Sequence, residues 1–315
     1  MTFKKIQKDL VCPNTGSDLL IIKNSQNLNS YFKSSKNNNL KYPIINNTPI
    51  IINENNSLFK IENISKSIKE TKKSNKIRSI IKYFTPSIGI NLKSKEIFKK
   101  ILRILPKKSK ILIIGGAVRG SNIDLIFNSK KYKIISTDIY NTKYVDIIND
   151  CHDLCFKDET FDCVIIQAVL EHVLDPKRCV KEIHRVLKKD AFIYAETPFI
   201  QQVHSKQYDF TRFTYLGYLW LFKNFNEESS GPCCGTGMAL AWSILYFLRS
   251  LSNNKLLINA FTLLGYFITF LFKYLDFLII NHKGSYDGAS GYYFFGKKSK
   301  TAIKKSELLK KFVGN

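Results

Sequence analysis

Several residues recur at intervals that suit nucleoside chemistry. An apolar run at residues 110–114 ends in Gly115-Gly116-Ala117-Val118-Arg119-Gly120, and glycine there lets the backbone approach a ligand closely. Asp138 follows about twenty residues later, a spacing at which an acidic side chain accepts hydrogen bonds from a ribose diol. Asp150 ends a third run and is well placed to accept from an adenine amino group. Dinucleotide and nucleoside binding both fit this spacing. Each feature also has a plain structural reading, as a turn glycine or an Asp that caps the next turn.

Those residues need a scaffold that ends several strands on one edge. Residues 110–114, 133–139, 144–148, 162–169 and 191–196 read as strands, and residues 121–128 and 176–188 read as helices. In the second helix Cys179, Val180, Ile183, Val186 and Leu187 line one side. Strands alternating with helical patterns predict a doubly wound, mostly parallel α/β sheet. Such sheets bind ligands beyond the carboxyl ends of their strands. The run at 291–298 reads as a late edge strand. Upstream, Ser94 suits the start of a helix whose Ile97, Ile101, Ile104 and Leu105 share a face and which Pro106 stops.

Residues 10–52 carry short apolar runs at 19–22 and 44–52 broken by Asn, Ser, Gly and Pro, which predicts a small β-rich unit. The seven cysteines (Cys12, Cys151, Cys155, Cys163, Cys179, Cys233, Cys234) are odd in number and dispersed, which argues against a disulfide scaffold and for a reducing cytoplasm. The opening Met-Thr-Phe-Lys-Lys holds no apolar signal region. Cys12 begins a C-x-x-C spacing, but Thr15 stands at its second position, and one thiol builds no structural zinc site. No metal is expected.

The 315 residues include 49 Lys+Arg against 25 Asp+Glu, a net charge of +24, and 44% are hydrophobic, which excludes disorder throughout. Residues 60–110 carry a net of +13 and residues 297–311 a net of +6, so the stretch between them is close to neutral. Only seven of the basic residues are Arg, the side chain suited to bidentate phosphate or guanine contacts. Nucleic acid is therefore the weaker partner class. The basic flanks suit a solvated surface or attraction to an anionic membrane or polymer.

In order and spacing, ILIIGGAVRG, STDIY and IINDCHDLCFKDETFDCVIIQAVLEHVLDPKRCVKEIHRVLKKDAFIYAETP, within residues 111–198, resemble a class I S-adenosylmethionine-dependent methyltransferase of the type 11 group. The resemblance implies a seven-stranded Rossmann-like sheet with S-adenosylmethionine as cofactor. It implies that Gly115 and Gly116, with Gly120, approach the methionine part and that Asp138 binds the ribose hydroxyls. Asp150 with Cys151 and His152 would frame the adenine, and Gln167, Glu171 and His172 would lie near the sulfonium. The chain departs from the family at Ile113, where an acidic residue is common, and at Ala117 and Arg119, which replace loop glycines. The stretch ETPFIQQVHSKQYDFTRFT (196–214) resembles a subgroup found with bacterial surface-polysaccharide synthesis. There His204, as base, and Tyr208, Asp209 and Arg212 would serve the acceptor. LVCPNTGSDLL and YPIINNTPIII resemble the small zinc-ribbon-like methyltransferase activator domain, without its second Cys and so without its metal.

Residues 238–281 are strongly apolar, but the longest charge-free run, 256–272, is 17 residues, about 25 Å as a helix and marginal as a membrane span. Two helices that pack on the domain or lie at a membrane interface are expected, probed from either side by lysine. The resulting organisation is a β-rich unit at 1–59, a basic linker and helix at 60–109, a methyltransferase domain at 110–300 holding the apolar insert, and a basic tail at 301–315. The expected function is methyl transfer to a hydroxyl or amine of a small-molecule or glycan acceptor, such as a lipid-linked glycan precursor, in the cytoplasm or at the inner face of the membrane. An RNA methyltransferase and a non-catalytic scaffold that kept the fold are the rivals.

Overall fold

The structure, a computed structural model, describes residues 6–22, 30–69 and 85–315. The part of the basic linker at 70–84 lies outside the described residues. A four-stranded antiparallel sheet comes first, with β1 (Leu19–Ile22), β2 (Tyr31–Ser34), β3 (Lys41–Ile45) and β4 (Thr48–Pro49) in that spatial order. Its core is continuous with that of the large sheet, since Cys12, Phe32, Tyr42 and Ile51 join one buried cluster with Leu112, Ile147 and Phe156. Cys12 Sγ lies 3.1 Å from Tyr42 Oη, and the hydroxyls of Thr15, Ser17 and Ser34 bond one another nearby.

Two backbone seams tie this unit to the rest. Ile50 pairs in parallel with Ile148, with Ile51 N donating to Ile148 O at 2.8 Å, and Leu10 pairs antiparallel with Phe156. Helix α1 (Ile61–Lys69) begins the linker, and α2 (Ser94–Ile104) buries Ile97, Phe98 and Ile101 against the large sheet.

The large sheet contains β5 (Lys110–Ile114), β6 (Lys133–Asp138), β7 (Ile147–Ile148), β8 (Phe161–Gln167), β9 (Leu187–Pro198), β10 (Phe225–Cys234) and β11 (Gly291–Lys298) in the order β10-β11-β9-β8-β5-β6-β7. Strands β5 to β9 run parallel, whereas β11 pairs antiparallel with β9 and with β10. The central strand β5 is an unbroken apolar run, as expected of a parallel strand covered on both faces, and Ile111 to Ile114 are each under 5% exposed. Helix α3 (Asp124–Phe127) follows β5. Helix α4 (Pro176–Val186) follows β8, starting where Asp175 accepts a bond from Arg178 N and Pro176 takes the first helical position.

Several expectations need correction. The helix over 121–128 contracts to the four residues of α3, and the strand over 144–148 contracts to the two of β7. The run at 291–298 is an inner strand, because β10 takes the edge. Strand β10 lacked a sequence signal, since Glu227, Glu228, Ser229, Ser230 and Pro232 hide its alternation.

The apolar insert forms the two helical segments expected, α6 (Thr236–Ser250) and the stretch Lys255–Ile279, in which Phe270 and Leu271, both of helical backbone, join α7 (Lys255–Thr269) to α8 (Phe272–Ile279). Helix α5 (Tyr215–Leu221) precedes β10, α9 (Lys283–Gly288) precedes β11, and α10 (Lys305–Leu309) follows it. Helices α7 and α8 both pack on α6, and Asp276 decides how. Its buried carboxylate accepts from Gly237 N at 2.7 Å and Met238 N at 3.1 Å, covering the N-terminus of α6 with charge of the sign that terminus favours. Gly237 is required at the crossing, since a Cβ there would lie 2.2 Å from Phe272 O. Replacing Asp276 with Ala is expected to lower stability by about 1–2 kcal/mol through loss of this cap, read as a lower midpoint in urea unfolding. Replacing Glu62, paired with Lys66 on an open helix face, should change it by under about 0.5 kcal/mol.

Candidate active site

Strand order reverses between β5 and β8, so a crevice opens beyond their carboxyl ends. Gly115 and Gly116 turn the chain there, both N–H groups donating to Thr137 O at the end of β6, at 2.9 and 3.1 Å. Gly115 has φ +80°, the left-handed region that favours glycine. A Cβ on Gly116 would lie 1.9 Å from Ser136 Oγ, and one on Gly120 would lie 2.5 Å from Gln167 Oε1. The loop therefore follows a tight path despite Ala117 and Arg119. Arg119 is instead turned onto the rings of Phe127 and Tyr144 and paired with Asp124.

Asp138 stands at the end of β6 facing this loop. Its carboxylate accepts Ala117 N and Tyr140 N, each at 2.9 Å, and burial raises its pKa. A backbone bond from Ile139 adds to these two in holding the charged form. Asp150 lies past β7 with Oδ1 taken by His152 N at 3.0 Å and His152 Nδ1 at 2.6 Å, and Oδ2 taken by Ser57 Oγ at 2.5 Å. His152 Nε2 in turn accepts Asp175 N, so its ring carries the proton on Nδ1 and is fully used in joining Asp150 to the start of α4. Cys151 turns its thiol inward, 3.1 Å from Cys179 Sγ. The side chains of Cys151 and His152 thus build the wall around Asp150, which corrects the expectation that they frame a base directly.

Gln167 ends β8, and its amide nitrogen donates to Ser121 O and Glu196 Oε2, linking the glycine loop to β9. Glu196 also accepts from Asn91 and the Tyr194 hydroxyl. Sequence reading missed Glu196 and Asn91, although Glu196 ends a strand on the same edge as Asp138, the positional cue that singled out the latter.

Beyond β8 the chain makes a single 3-10 turn, Leu170–His172, that buries Glu171 completely. Neither carboxylate oxygen of Glu171 has a hydrogen-bond partner, and burial pushes its pKa up to about 8. Glu171 Oε1 is 3.6 Å from His172 Nε2 and 3.9 Å from His204 Nε2, and the two imidazole rings meet edge to face at 4.9 Å. Burial lowers the pKa of His172, whose Nδ1 bonds Tyr208 O at 2.7 Å.

His204 sits on the loop after β9. Arg212 grips Asp209 with both terminal nitrogens while Nε donates to Gln201 O at 3.1 Å, and Asp209 accepts His204 N at 2.9 Å. Although burial acts upward, the bonds from Arg212 and His204 hold Asp209 at about 2. Arg212, Asp209 and the Tyr208 backbone are thus positioning groups that fix the loop under His172 and His204. The Tyr208 ring lies 5.5 Å from that of Phe59, so the N-terminal unit reaches the same loop.

A family model described as a methyltransferase domain matches residues 125–195. None of the curated proteins matches the chain. Among solved structures it is similar to a Galdieria sulphuraria protein assigned as a sarcosine dimethylglycine methyltransferase, at 13% identity over 71% of this chain and 97% of that one, with a TM-score of 0.46. A Haemonchus contortus phosphoethanolamine N-methyltransferase 2, in complex with phosphomonomethylethanolamine and S-adenosylhomocysteine, matches at 12% identity over 65% of this chain and 52% of that one, with a TM-score of 0.42. The complex between the Haloferax volcanii Trm112 methyltransferase activator and a protein assigned as a methyltransferase matches at 15% identity, covering 64% and 88%, with a TM-score of 0.40.

The Ser57 contact yields a pH test. Burial raises the pKa of Asp150, but bonds from His152 and Ser57 outweigh it and leave the carboxyl below its ordinary range. A depressed folded value contributes stability that is present above the unfolded pKa, near pH 4, and lost as pH falls through the folded one. Ser57→Ala should therefore lower the thermal midpoint at neutral pH, the lost bond to a charged group being worth about 1.5–3 kcal/mol. The deficit relative to the parent should narrow as pH falls below the unfolded carboxyl range. Thermal unfolding at the two pH values checks it.

Proposed function

We propose that this chain, which carries an S-adenosylmethionine-dependent methyltransferase domain, methylates a hydroxyl or amine of a glycan or lipid-linked glycan precursor at a membrane surface. The observation that carries the acceptor side of the reading is the Glu171–His172–His204 cluster, a set of proton-accepting groups on the same edge of the sheet as the glycine turn. The donor set fits the cofactor. The glycine turn carries its backbone tight against Ser136 and Gln167, where a Cβ would collide, and the Asp138 carboxylate at the end of the next strand suits two adjacent hydroxyls. Asp150 Oδ2 retains one acceptor position for an exocyclic amine.

When bound, the cofactor supplies an electrophilic methyl group on a sulfonium. The chain's own task is to orient an acceptor in line with that group, exclude water and take up a proton. His204 Nε2 is the proton acceptor in this reading, because its side chain is partly exposed and an imidazole titrates near neutrality. Asp209, through His204 N and Nδ1, orients the ring, and Arg212 keeps Asp209 ionised. The polar loop at 199–214 suits an acceptor rich in hydroxyls.

The membrane part of the reading rests on the insert. The most apolar 18-residue stretch of Lys255–Ile279 has a mean hydropathy of 1.7, and only 11% of it is buried within the protein. Leu256, Phe267, Leu271, Phe277 and Leu278 are all more than half exposed, an apolar surface larger than scattered single residues produce. With Asp276 bound under α6, the helices stay packed side by side, which favours lying in the interface over crossing it.

A split between two variants tests the catalytic assignment. Asp138→Ala should weaken S-adenosylmethionine binding at least tenfold in calorimetry, since each lost charge-assisted bond is worth about 1.5–3 kcal/mol. His204→Ala should lower turnover while leaving that affinity unchanged, and an equal fall in both variants would move His204 into the cofactor pocket. Flotation tests the surface. The chain should float with anionic vesicles at low salt, weakly with neutral ones, and less at high salt, because lysines near the surface gain about 1 kcal/mol each from anionic lipid. Absence from every floated fraction would remove the membrane.

A further inference from the structure

Three groups that can each offer a lone pair to a cation converge in the loop beyond β8. His172 uses Nδ1 on Tyr208 O, so its proton sits there and its Nε2 lone pair is free of it. His204 directs Nδ1 toward Gln202 O at 3.3 Å and Asp209 Oδ2 at 3.4 Å, which again leaves Nε2 as the lone pair. Both Nε2 atoms face Glu171 Oε1, whose carboxylate is completely buried and unpartnered. Ser205 Oγ reaches into the group, 3.2 Å from His172 Nε2. Ligand atoms of the three side chains all lie within 4.8 Å of one another.

We propose that Glu171, His172 and His204 form a binding site for a divalent zinc-type cation. The donors are the two imidazoles and one carboxylate that make up one familiar open zinc site, in which the fourth position is left for water or substrate. Bonds of about 2.1 Å in tetrahedral geometry set ligand atoms about 3.4 Å apart, against 3.6 and 3.9 Å from Glu171 to the two imidazoles and no more than 4.8 Å among all three groups, so the His204 loop closes toward His172 to complete the shell. The outer contacts are those expected of metal-binding histidines, whose second nitrogen is held by a carbonyl or carboxylate that fixes ring and tautomer. Tyr208 O does this for His172, and Asp209 with Gln202 O does it for His204. The bidentate Arg212–Asp209 pair then acquires a purpose as the brace of the second ligand. The expectation of no metal arose from counting thiols, whereas this set contains none.

The chemical consequence deepens the methyl-transfer reading and rests on it. An acceptor hydroxyl on the open position would lose its proton to solvent more readily, because coordination to a divalent cation lowers the pKa of a bound O–H group. His204 would then act as ligand in place of base.

The test is metal binding by the full chain, freed of metal with a chelator and kept without cofactor, so that its outcome is independent of methyl transfer. Titration with Zn²⁺ in a calorimeter should show one equivalent bound, with affinity falling at least tenfold in His204→Ala and in Glu171→Gln. Co²⁺ in place of Zn²⁺ should give the visible bands of a four-coordinate nitrogen and oxygen site, without a thiolate charge-transfer band. Thermal unfolding identifies any variant that fails to fold, and His204, on a partly exposed loop, is the variant that decides if Glu171→Gln does. No binding by the parent, undiminished binding in His204→Ala, or a thiolate band would each overturn the proposal.

Discussion

A parallel sheet whose strand order reverses between β5 and β8 must leave a crevice at its carboxyl edge, and that constraint places the cofactor side of the candidate site. The glycine turn ends β5, Asp138 ends β6, Asp150 follows β7, Gln167 ends β8 and Glu196 lies near the end of β9. None of these side chains is on a long loop of its own. Their spacing is therefore set by the strand-to-strand distance and by the register that pairs Ile114 with Thr137 and Gln167 with Glu196.

The small N-terminal sheet is more than an appendage to this arrangement. It joins the far edge through the Ile50–Ile148 pairing, and Asn149 Nδ2 donates to Ile51 O at 2.7 Å. From that anchor Asn53 and Asn56 reach Asp153, and Ser57 reaches Asp150. Within the unit, Cys12 bonds Tyr42, and Thr15, Ser17 and Ser34 bond one another. Hydroxyl contacts and a shared apolar core hold the unit in shape and leave its next segment to line the crevice.

The central strands and α4 were legible because a buried parallel strand is an unbroken apolar run and an amphipathic helix repeats at 3.6 residues. Strand β10 was not, since an edge strand with one wet face can carry Glu, Ser and Pro. Asp138 and Gly116 were found by position along the chain. The buried wall around Asp150 was not, because Cys151 and His152 look like site residues in sequence and only the fold turns one toward Cys179 and the other toward Asp175. The most informative feature, a carboxylate at Glu171 with no partner, is invisible in any sequence. Its solitude depends on the loop bearing His204, thirty-three residues away, folding back over it.

The central claim is that one crevice serves both halves of the reaction, with the glycine turn and Asp138 on the cofactor side and the Glu171–His172–His204 cluster on the acceptor side. A crystal structure of the chain with S-adenosylhomocysteine tests this most directly. The account predicts the ribose hydroxyls on the Asp138 carboxylate, the amino-acid part against Gly115 and Gly116, and the sulfur facing the Glu171 cluster. A ligand bound elsewhere, or one whose sulfur faces away from Glu171 and His204, would contradict it.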